Sequence, residues 1–151
     1  SKRNFKTRKN NIMDINEQLK EKMGINTNKV NTFISQLFTA YVQTHTFHLQ
    51  VKGKGSFAIH MALNELYEAI PGFIDEIVES YQGKYGIITD YKVNNISNFT
   101  DKLQIITYLK NLHLFIDNNR EKLFQDSDIL NVIDEIKTAI KQTLYKLENL
   151  E

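Results

Sequence analysis

Four long stretches of this 151-residue chain repeat apolar residues every three or four positions, which is the period of an α-helix that buries one face. They cover approximately residues 27–52, 56–82, 99–121 and 126–150, and either Thr27 or Asn28 is the expected N-cap of the first. A shorter helix is predicted over residues 13–24. No segment shows a convincing strand pattern, so the sequence predicts an all-α fold.

The connections between these stretches constrain the topology. Gly53 and Gly55 form a tight turn after the first stretch, and the link before the last stretch is also short. The middle link, about residues 83–98, is long. A long middle link allows the third helix to run parallel to the second, whereas an up-and-down bundle needs only a short one. We therefore expect one four-helix bundle domain over residues 13–151, with a long crossover in its middle.

The charge of the chain is segregated. The net charge is +1, and residues 1–12 are predicted to form a basic, flexible N-terminal arm. The first ten residues carry five basic and no acidic side chains, which leaves 14 basic and 18 acidic residues for the remainder, a net charge of −4. A basic arm on an acidic body is typical of a tail that binds nucleic acid without reading its sequence. The candidate DNA-binding residues are Lys2, Arg3, Lys6, Arg8 and Lys9.

The composition argues against several classes of protein. The chain has no cysteine, which excludes disulfides and thiolate metal sites. No apolar run approaches the roughly 18 residues of a membrane span, and no apolar segment of a signal peptide follows the charged N-terminus. We therefore expect a cytoplasmic protein without a membrane partner, associated with the nucleoid where the arm binds DNA.

Four residues of the first two long helices are of the types that bind metals: His48, His60, Asp75 and Glu79. Asp75 and Glu79 are four residues apart and share a helix face. His60 and Asp75 are separated by about 22 Å along the helix, at roughly 1.5 Å per residue, so they cannot bind one ion within one chain. Two antiparallel copies of this helix, crossing near Glu68, would bring them together at two identical sites. Imidazole with carboxylate suits iron, zinc or manganese.

The stretch HLQVKGKGSFAIHMALNELYEAIPGFIDEIVE, from His48 to Glu79, resembles the signature of the Dps family, the mini-ferritins known as DNA-binding proteins from starved cells. In that family a His, a Gly-containing turn, a second His, and then an Asp and a Glu on the second helix follow at this spacing. The resemblance implies a ferritin-like four-helix bundle with a long crossover. It also implies a hollow homo-oligomer, a dodecamer built from two-fold dimers.

The resemblance further implies a ferroxidase that binds Fe(II) between subunits, oxidises it with peroxide or oxygen, stores the iron and protects DNA from oxidative stress. By position, the iron ligands are His48, His60, Asp75 and Glu79, and no separate catalytic residue is implied. Asn64 falls at the remaining ligand position, where the family usually has Asp, and a neutral amide is a weaker ligand. Leu49 replaces the Trp that typically follows the first His.

Two alternative functions are kept open. Asn64, Leu49 and Pro71 depart from the family pattern and motivate a structural or DNA-packaging protein of the same fold with weak or no ferroxidase activity. The tract ESYQGKYG, residues 79–86, resembles ferritin-like proteins encoded by viruses and phages, which would place such a protein in a virion or in the cytoplasm of an infected cell. The third interpretation is a helical protein that binds neither metal nor nucleic acid.

Ordinary structural roles are expected for several other residues. A lone His on an apolar helix face is more often a structural residue than a ligand, and this applies to His45. Phe57 and Phe73 are expected in the core. Asp126 is expected to cap the last helix. Pro71 removes a helical hydrogen bond and is expected to kink its helix.

Overall fold

The computed structural model describes residues 15–151, which are helical apart from turns and one long link and contain no strand. In chain order, α1 covers residues 15–22 and is followed by α2 (Thr27–Gln50), α3 (Ser56–Tyr85), α4 (Lys102–Leu123) and α5 (Ser127–Asn149). The predicted all-α class is confirmed, and the described residues form five helices. The predicted N-terminal arm and its five basic residues lie outside the described residues.

Two of the long helices, α2 and α4, start at a side chain that accepts a backbone N–H group, and the start of α2 differs from the prediction. The N-cap of α2 is Asn26, whose Oδ1 accepts from the N–H of Lys29 at 3.1 Å, so the expected cap at Thr27 or Asn28 is wrong by one or two residues. Asp101 caps α4 in the same way through the N–H of Gln104. Asp126 stands at the N-cap position of α5 but makes no capping bond.

The carboxylate of Asp126 is instead used to join two helices. It accepts a hydrogen bond from the Tyr85 hydroxyl at 2.7 Å and pairs with Lys84, both at the C-terminal end of α3. The interaction with Asp126 and the burial of the ring both raise the pKa of Tyr85, with burial the larger cause. This contact fixes the start of α5 against the end of α3.

The four long helices enclose one apolar core. α2 packs on α3, α3 on α5, and α5 on α4, while α4 and α2 make fewer contacts. Because α3 touches both α2 and α5, it supplies the longest row of buried apolar residues: Ile59, Leu63, Leu66, Ile70, Ile74, Ile77 and Tyr81. α3 continues through Pro71 without interruption, although Pro71 has no N–H for the carbonyl of Tyr67.

The link between α3 and α4, residues 86–101, lies along α2. Its backbone N–H groups at residues 92, 94, 97 and 99 donate to side chains of α2 at distances of 2.8–3.1 Å. The acceptors, in the same order, are Ser35, Thr39, Gln43 and Gln50, so the link runs in the direction of α2. α4 consequently starts beside the C-terminal end of α2 and the N-terminal end of α3.

None of the helices formed by residues 15–151 combines the length and the apolar character that crossing a membrane requires. The outward-facing surface of residues 15–151 is mainly polar. The exceptions are separate large apolar side chains, several of which lie on α3 and α4.

Candidate metal centre

The turn between α2 and α3 places two histidines against each other. His48 lies in the last turn of α2 and His60 in the second turn of α3, and residues 51–55 join the two helices. Gly53 and Gly55 have φ values of 97° and 76°, in the left-handed region that favours glycine, which makes so short a connection accessible. The two imidazole rings stack with centroids 3.7 Å apart and planes inclined by 22°.

The two rings are fixed by reciprocal hydrogen bonds. Nδ1 of His48 lies 3.0 Å from the carbonyl oxygen of His60, and Nδ1 of His60 lies 2.9 Å from the carbonyl oxygen of His48. A carbonyl oxygen only accepts, so both Nδ1 atoms must carry the proton and donate it. In the neutral form of each ring the free lone pair then lies on Nε2. Metal-binding histidines commonly have this arrangement, in which the other ring nitrogen donates to a backbone carbonyl.

Further aromatic rings hold the pair from the side. Tyr67 lies seven residues after His60 and therefore on the same face of α3; its ring is 4.9 Å from that of His48. The ring of His45 stacks on Tyr67 at 4.2 Å with an inclination of 11°, and the ring of Tyr41 lies 6.3 Å from Tyr67. His45 therefore forms part of one row of rings with Tyr67 and His48. Tyr67 was not singled out from the sequence, and its spacing from His60 was the available signal.

The structure brings His48 and His60 together but leaves both carboxylates apart from them. Asp75 and Glu79 lie on the exposed side of α3, about 22 Å or more further along the helix at roughly 1.5 Å per residue. Within residues 15–151 neither makes an ion pair or a hydrogen bond through its side chain, and no three His, Cys, Asp or Glu side chains form a group able to hold a metal. Asn64 is half-buried one turn after His60. A single chain therefore keeps the two imidazole rings and the two carboxylates apart.

An exposed face of α3 runs between the histidines and these carboxylates, and we call it the α3 stripe. It consists of Phe57, Met61, Glu65, Glu68, Gly72, Asp75 and Glu79. Phe57 is 75% exposed and Met61 44% exposed, so the expectation that Phe57 belongs to the core is wrong. The reason is that Phe57 falls on the solvent side of the helical period that buries Ile59 and Leu63.

The exposed surfaces at the two ends of α3 have opposite charge. Lys52 and Lys54 lie in the turn before α3, next to the histidines, whereas Asp75, Glu76 and Glu79 lie in its C-terminal half. All five of these charged residues are exposed. A second α3 in antiparallel orientation would therefore present charges complementary to those of the first.

Residues 15–151 thus form an all-helical protein with two stacked imidazole rings at the α2–α3 turn. Residues 48–147 match the family model described as "Family of unknown function (DUF5856)", and the chain belongs to this family. General stress protein 20U of Bacillus subtilis (strain 168) is 36% identical over 50 residues, which are 33% of this chain and 34% of that protein. The alignment thus spans about a third of the length of that relative. No solved structure matches the chain.

The assignment to the Dps family is wrong. The family whose model matches is DUF5856, not Dps or another ferritin-like family, and its range of 48–147 contains the whole stretch from His48 to Glu79 on which the resemblance depended. The resemblance depended on a few ligand-type residues between positions 48 and 79. The family model matches residues 48–147, a longer stretch, and is therefore more specific.

Proposed function

We propose that two copies of this chain share iron-binding sites, at which Fe(II) is bound and oxidised. His48 and His60 of one copy supply the nitrogen ligands, and Asp75 and Glu79 of the other supply the carboxylates. The single observation that carries the proposal is the reciprocal hydrogen bonding of His48 and His60, which leaves Nε2 of each ring as the atom with a free lone pair. The name of the Bacillus subtilis relative, a general stress protein, supports placing this activity in a stress response.

The positions of the ligands along α3 support sharing between two copies. His60 lies eight residues before Glu68, and Asp75 lies seven residues after it. An antiparallel crossing centred on Glu68 places His60 of each copy beside Asp75 of the other, and the two-fold symmetry produces two identical sites. The same contact would cover the exposed apolar side chains of Phe57 and Met61. It would also bring Lys52 and Lys54 of one copy towards the acidic C-terminal half of α3 of the other.

Gly72 supports a close approach of the second helix. It lies on the α3 stripe, and no atom within 4 Å would meet a Cβ added to it. A glycine inside a helix is less favourable than alanine by about 0.5–1 kcal/mol, so its presence requires another reason. Contact between two helix backbones at the crossing is such a reason.

The chemistry that follows is a two-electron reduction of peroxide. Two Fe(II) ions each lose one electron, and one hydrogen peroxide molecule accepts both electrons and two protons to give two molecules of water. Histidine and carboxylate ligands suit both oxidation states of iron. Removing Fe(II) and peroxide together would protect nearby DNA from oxidative damage, and the Fe(III) formed would be stored within the assembly.

We further propose that helices α2 to α5 form a four-helix bundle in which residues 86–101 are the long crossover from α3 to α4. The packing of α2 on α3, α3 on α5 and α5 on α4, and the course of the link along α2, support this topology. Leu103, Leu114 and Tyr145 are exposed on α4 and α5 and offer further contacts through which dimers would associate into a larger homo-oligomer.

Anaerobic titration with Fe(II), followed by addition of peroxide, tests this function. We expect saturable binding, with two shared sites per dimer, and rapid oxidation by peroxide. Mass photometry or light scattering on the same sample gives the particle mass. An assembly that neither binds nor oxidises Fe(II) would contradict the proposal and would favour the alternative of a structural or packaging protein, with the neutral Asn64 as the residue to restore first by Asn64→Asp.

A second proposed function is non-specific DNA binding through the N-terminal arm. The observation that favours it is the charge of +5 on the first ten residues against −4 on the remainder. Several arms on one homo-oligomer would act together on a single DNA molecule, which multiplies weak phosphate contacts. A variant lacking residues 1–10 should lose retention of DNA in a gel-shift assay, and unchanged retention would remove the role of the arm.

A further inference from the structure

An open groove on the surface between α3 and α5 is apolar at its base and acidic at one end. It has a volume of about 430 Å³ and is lined by Phe73, Asp134, Glu135, Thr138, Ala139 and Gln142. Phe73 and Ala139 are half-buried against the core, whereas Glu135 is exposed. An apolar base beside exposed acidic groups suits an aromatic side chain that has basic neighbours.

Two glutamates lie opposite each other at the acidic end of this groove. The ion pair between Glu65 of α3 and Lys146 of α5 shows how these two antiparallel helices lie side by side. Glu76 follows Glu65 by 11 residues and Glu135 precedes Lys146 by 11, which is about three helical turns in each case. Three turns beyond an ion pair, the equivalent positions therefore hold two carboxylates.

These two carboxylates have no cation beside them in the part of the chain that the structure describes. Within residues 15–151, Glu76 and Glu135 are exposed and make no ion pair. The neighbouring Asp134 is already paired with Arg120 at 2.7 Å. Like charges side by side repel each other, so this end of the groove favours a cationic partner.

We propose that the groove binds the N-terminal arm of the same chain, with Phe5 on the apolar base and basic side chains beside Glu76 and Glu135. Phe5 is the one aromatic residue among the first 14, and Arg3 and Lys6 lie on either side of it in the sequence. The charge of +5 on the first ten residues is complementary to the acidic end of the groove.

The arm is long enough to reach the groove. A Cβ added to Gly86 would lie 3.1 Å from the side chain of Asn16, so α1 starts beside the C-terminal end of α3. Phe73 precedes Gly86 by 13 residues, which is about 20 Å along the helix. Phe5 precedes residue 15 by ten residues, which span up to about 33 Å when extended.

Binding of the arm to the groove would limit the DNA binding proposed above. A basic side chain of the arm cannot face both the glutamates of the groove and a DNA phosphate, so the groove and DNA compete for the arm. This competition, unlike the binding of the arm to the groove, rests on the proposed function of the arm. The groove would thereby set how much of the arm is available to DNA.

Photo-crosslinking from position 5 of the full chain tests whether the arm lies in the groove. p-Benzoylphenylalanine replaces Phe5, which keeps an aromatic ring there, and mass spectrometry identifies the crosslinked peptides after irradiation. We expect crosslinks to Phe73 and to residues 134–142. Crosslinks spread over other surfaces, or no crosslink within the protein, would overturn the proposal.

Reversal of one charge tests the role of the acidic end. Glu135→Lys lies on α5, outside the α3 stripe, and should lower the crosslink yield about three- to tenfold, because an attraction becomes a repulsion. Glu151→Lys makes the same change of charge at an exposed position beyond the C-terminal end of α5 and should leave the yield unchanged. Equal yields in the two variants would overturn the proposed role of Glu135.

Duplex DNA added before irradiation tests the competition. The crosslink yield should fall as DNA saturates the protein in a gel-shift assay, and Glu135→Lys should bind DNA about three- to tenfold more tightly than Glu151→Lys. An unchanged yield on protein that has bound DNA would overturn the competition. Crosslinks to the groove in a chain that binds no DNA would support the docking and refute the proposed DNA binding.

Discussion

His48 and His60 each donate Nδ1–H to the backbone carbonyl of the other, at 3.0 and 2.9 Å, while their rings stack at 3.7 Å. These two hydrogen bonds and the stacking join the end of α2 to the start of α3. They also fix the orientation of both Nε2 atoms. A structural histidine pair would need only the hydrogen bonds and the stacking. In the proposed dimer, Asp75 and Glu79 of the second copy would add the carboxylates that make this pair a metal site.

Replacing His60 by Phe keeps a stacked ring but removes both nitrogens. We expect His60→Phe to weaken Fe(II) binding at least about tenfold, since a ligand is lost, and to lower the free energy of unfolding by about 1–3 kcal/mol, because the carbonyl of His48 loses its donor. Anaerobic calorimetric titration and urea denaturation measure these two effects. His45→Phe is the control, and loss of iron affinity in that variant would show that His45 is a ligand.

Tyr67 is predicted to position His48 through ring contact. Tyr67→Leu should reduce Fe(II) affinity by about 10–100-fold, the usual effect of removing a residue that orients a metal ligand. Tyr67→Phe retains the ring against His45 and His48 and should retain the affinity. The same titration distinguishes the two, and equal losses in both variants would instead assign the effect to the hydroxyl.

A substitution at Gly72 tests the proposed dimer without changing any of the proposed iron ligands. Gly72→Leu adds a bulky side chain where two α3 helices would cross, so sedimentation should show a shift from dimer towards monomer with the helical content unchanged. Iron binding should fall with the loss of the dimer. Lys141→Leu places the same exposed side chain on α5 and should leave the mass unchanged. A Gly72→Leu dimer that still binds iron would place the interface elsewhere.

Tyr108 gives a prediction on alkaline stability. Burial raises its pKa from 10.0 to about 12, so the folded state holds the proton more tightly than the unfolded state. The contribution of Tyr108 to stability is therefore complete below pH 10 and is lost as the pH rises from 10 towards 12, by up to about 2–3 kcal/mol. The free energy of unfolding, measured by denaturation at several pH values between 9 and 12, should fall less steeply with pH for Tyr108→Phe than for the wild type. The same fall in both proteins would show that Tyr108 is not its cause.

Helical periodicity predicted the extents of the four long helices to within a few residues, because each buries a continuous apolar row. It was less successful where a helix lies at the edge of the core. On α4, Leu103 is 69% exposed, although it is apolar, while Ile105 two residues later is fully buried. Which face of α4 is buried depends on how α4 packs against α5 and α2. The sequence of α4 alone does not determine that packing.

The polar interactions were the part that the sequence did not reveal. Ser35, Thr39 and Gln43 are buried because they bind the backbone of the link, which no local pattern indicates. The ligand-type residues were recognised from their chemistry, whereas the bonds between His48 and His60 depend on the geometry of the turn. The same few residues led to the wrong family, because residue type and spacing on one helix pair do not distinguish families that share them.

The most direct test of the shared iron site combines two inactive variants. His60→Ala removes a nitrogen ligand and Asp75→Ala a carboxylate, so each homodimer should have lost both sites. Chains of the two kinds, co-expressed and paired at random, should recover about a quarter of the wild-type Fe(II) stoichiometry, because half of the dimers are mixed and each mixed dimer has one intact site. Recovery to that level would support sites shared between copies. No recovery, with mixed dimers shown to be present, would contradict the proposed centre.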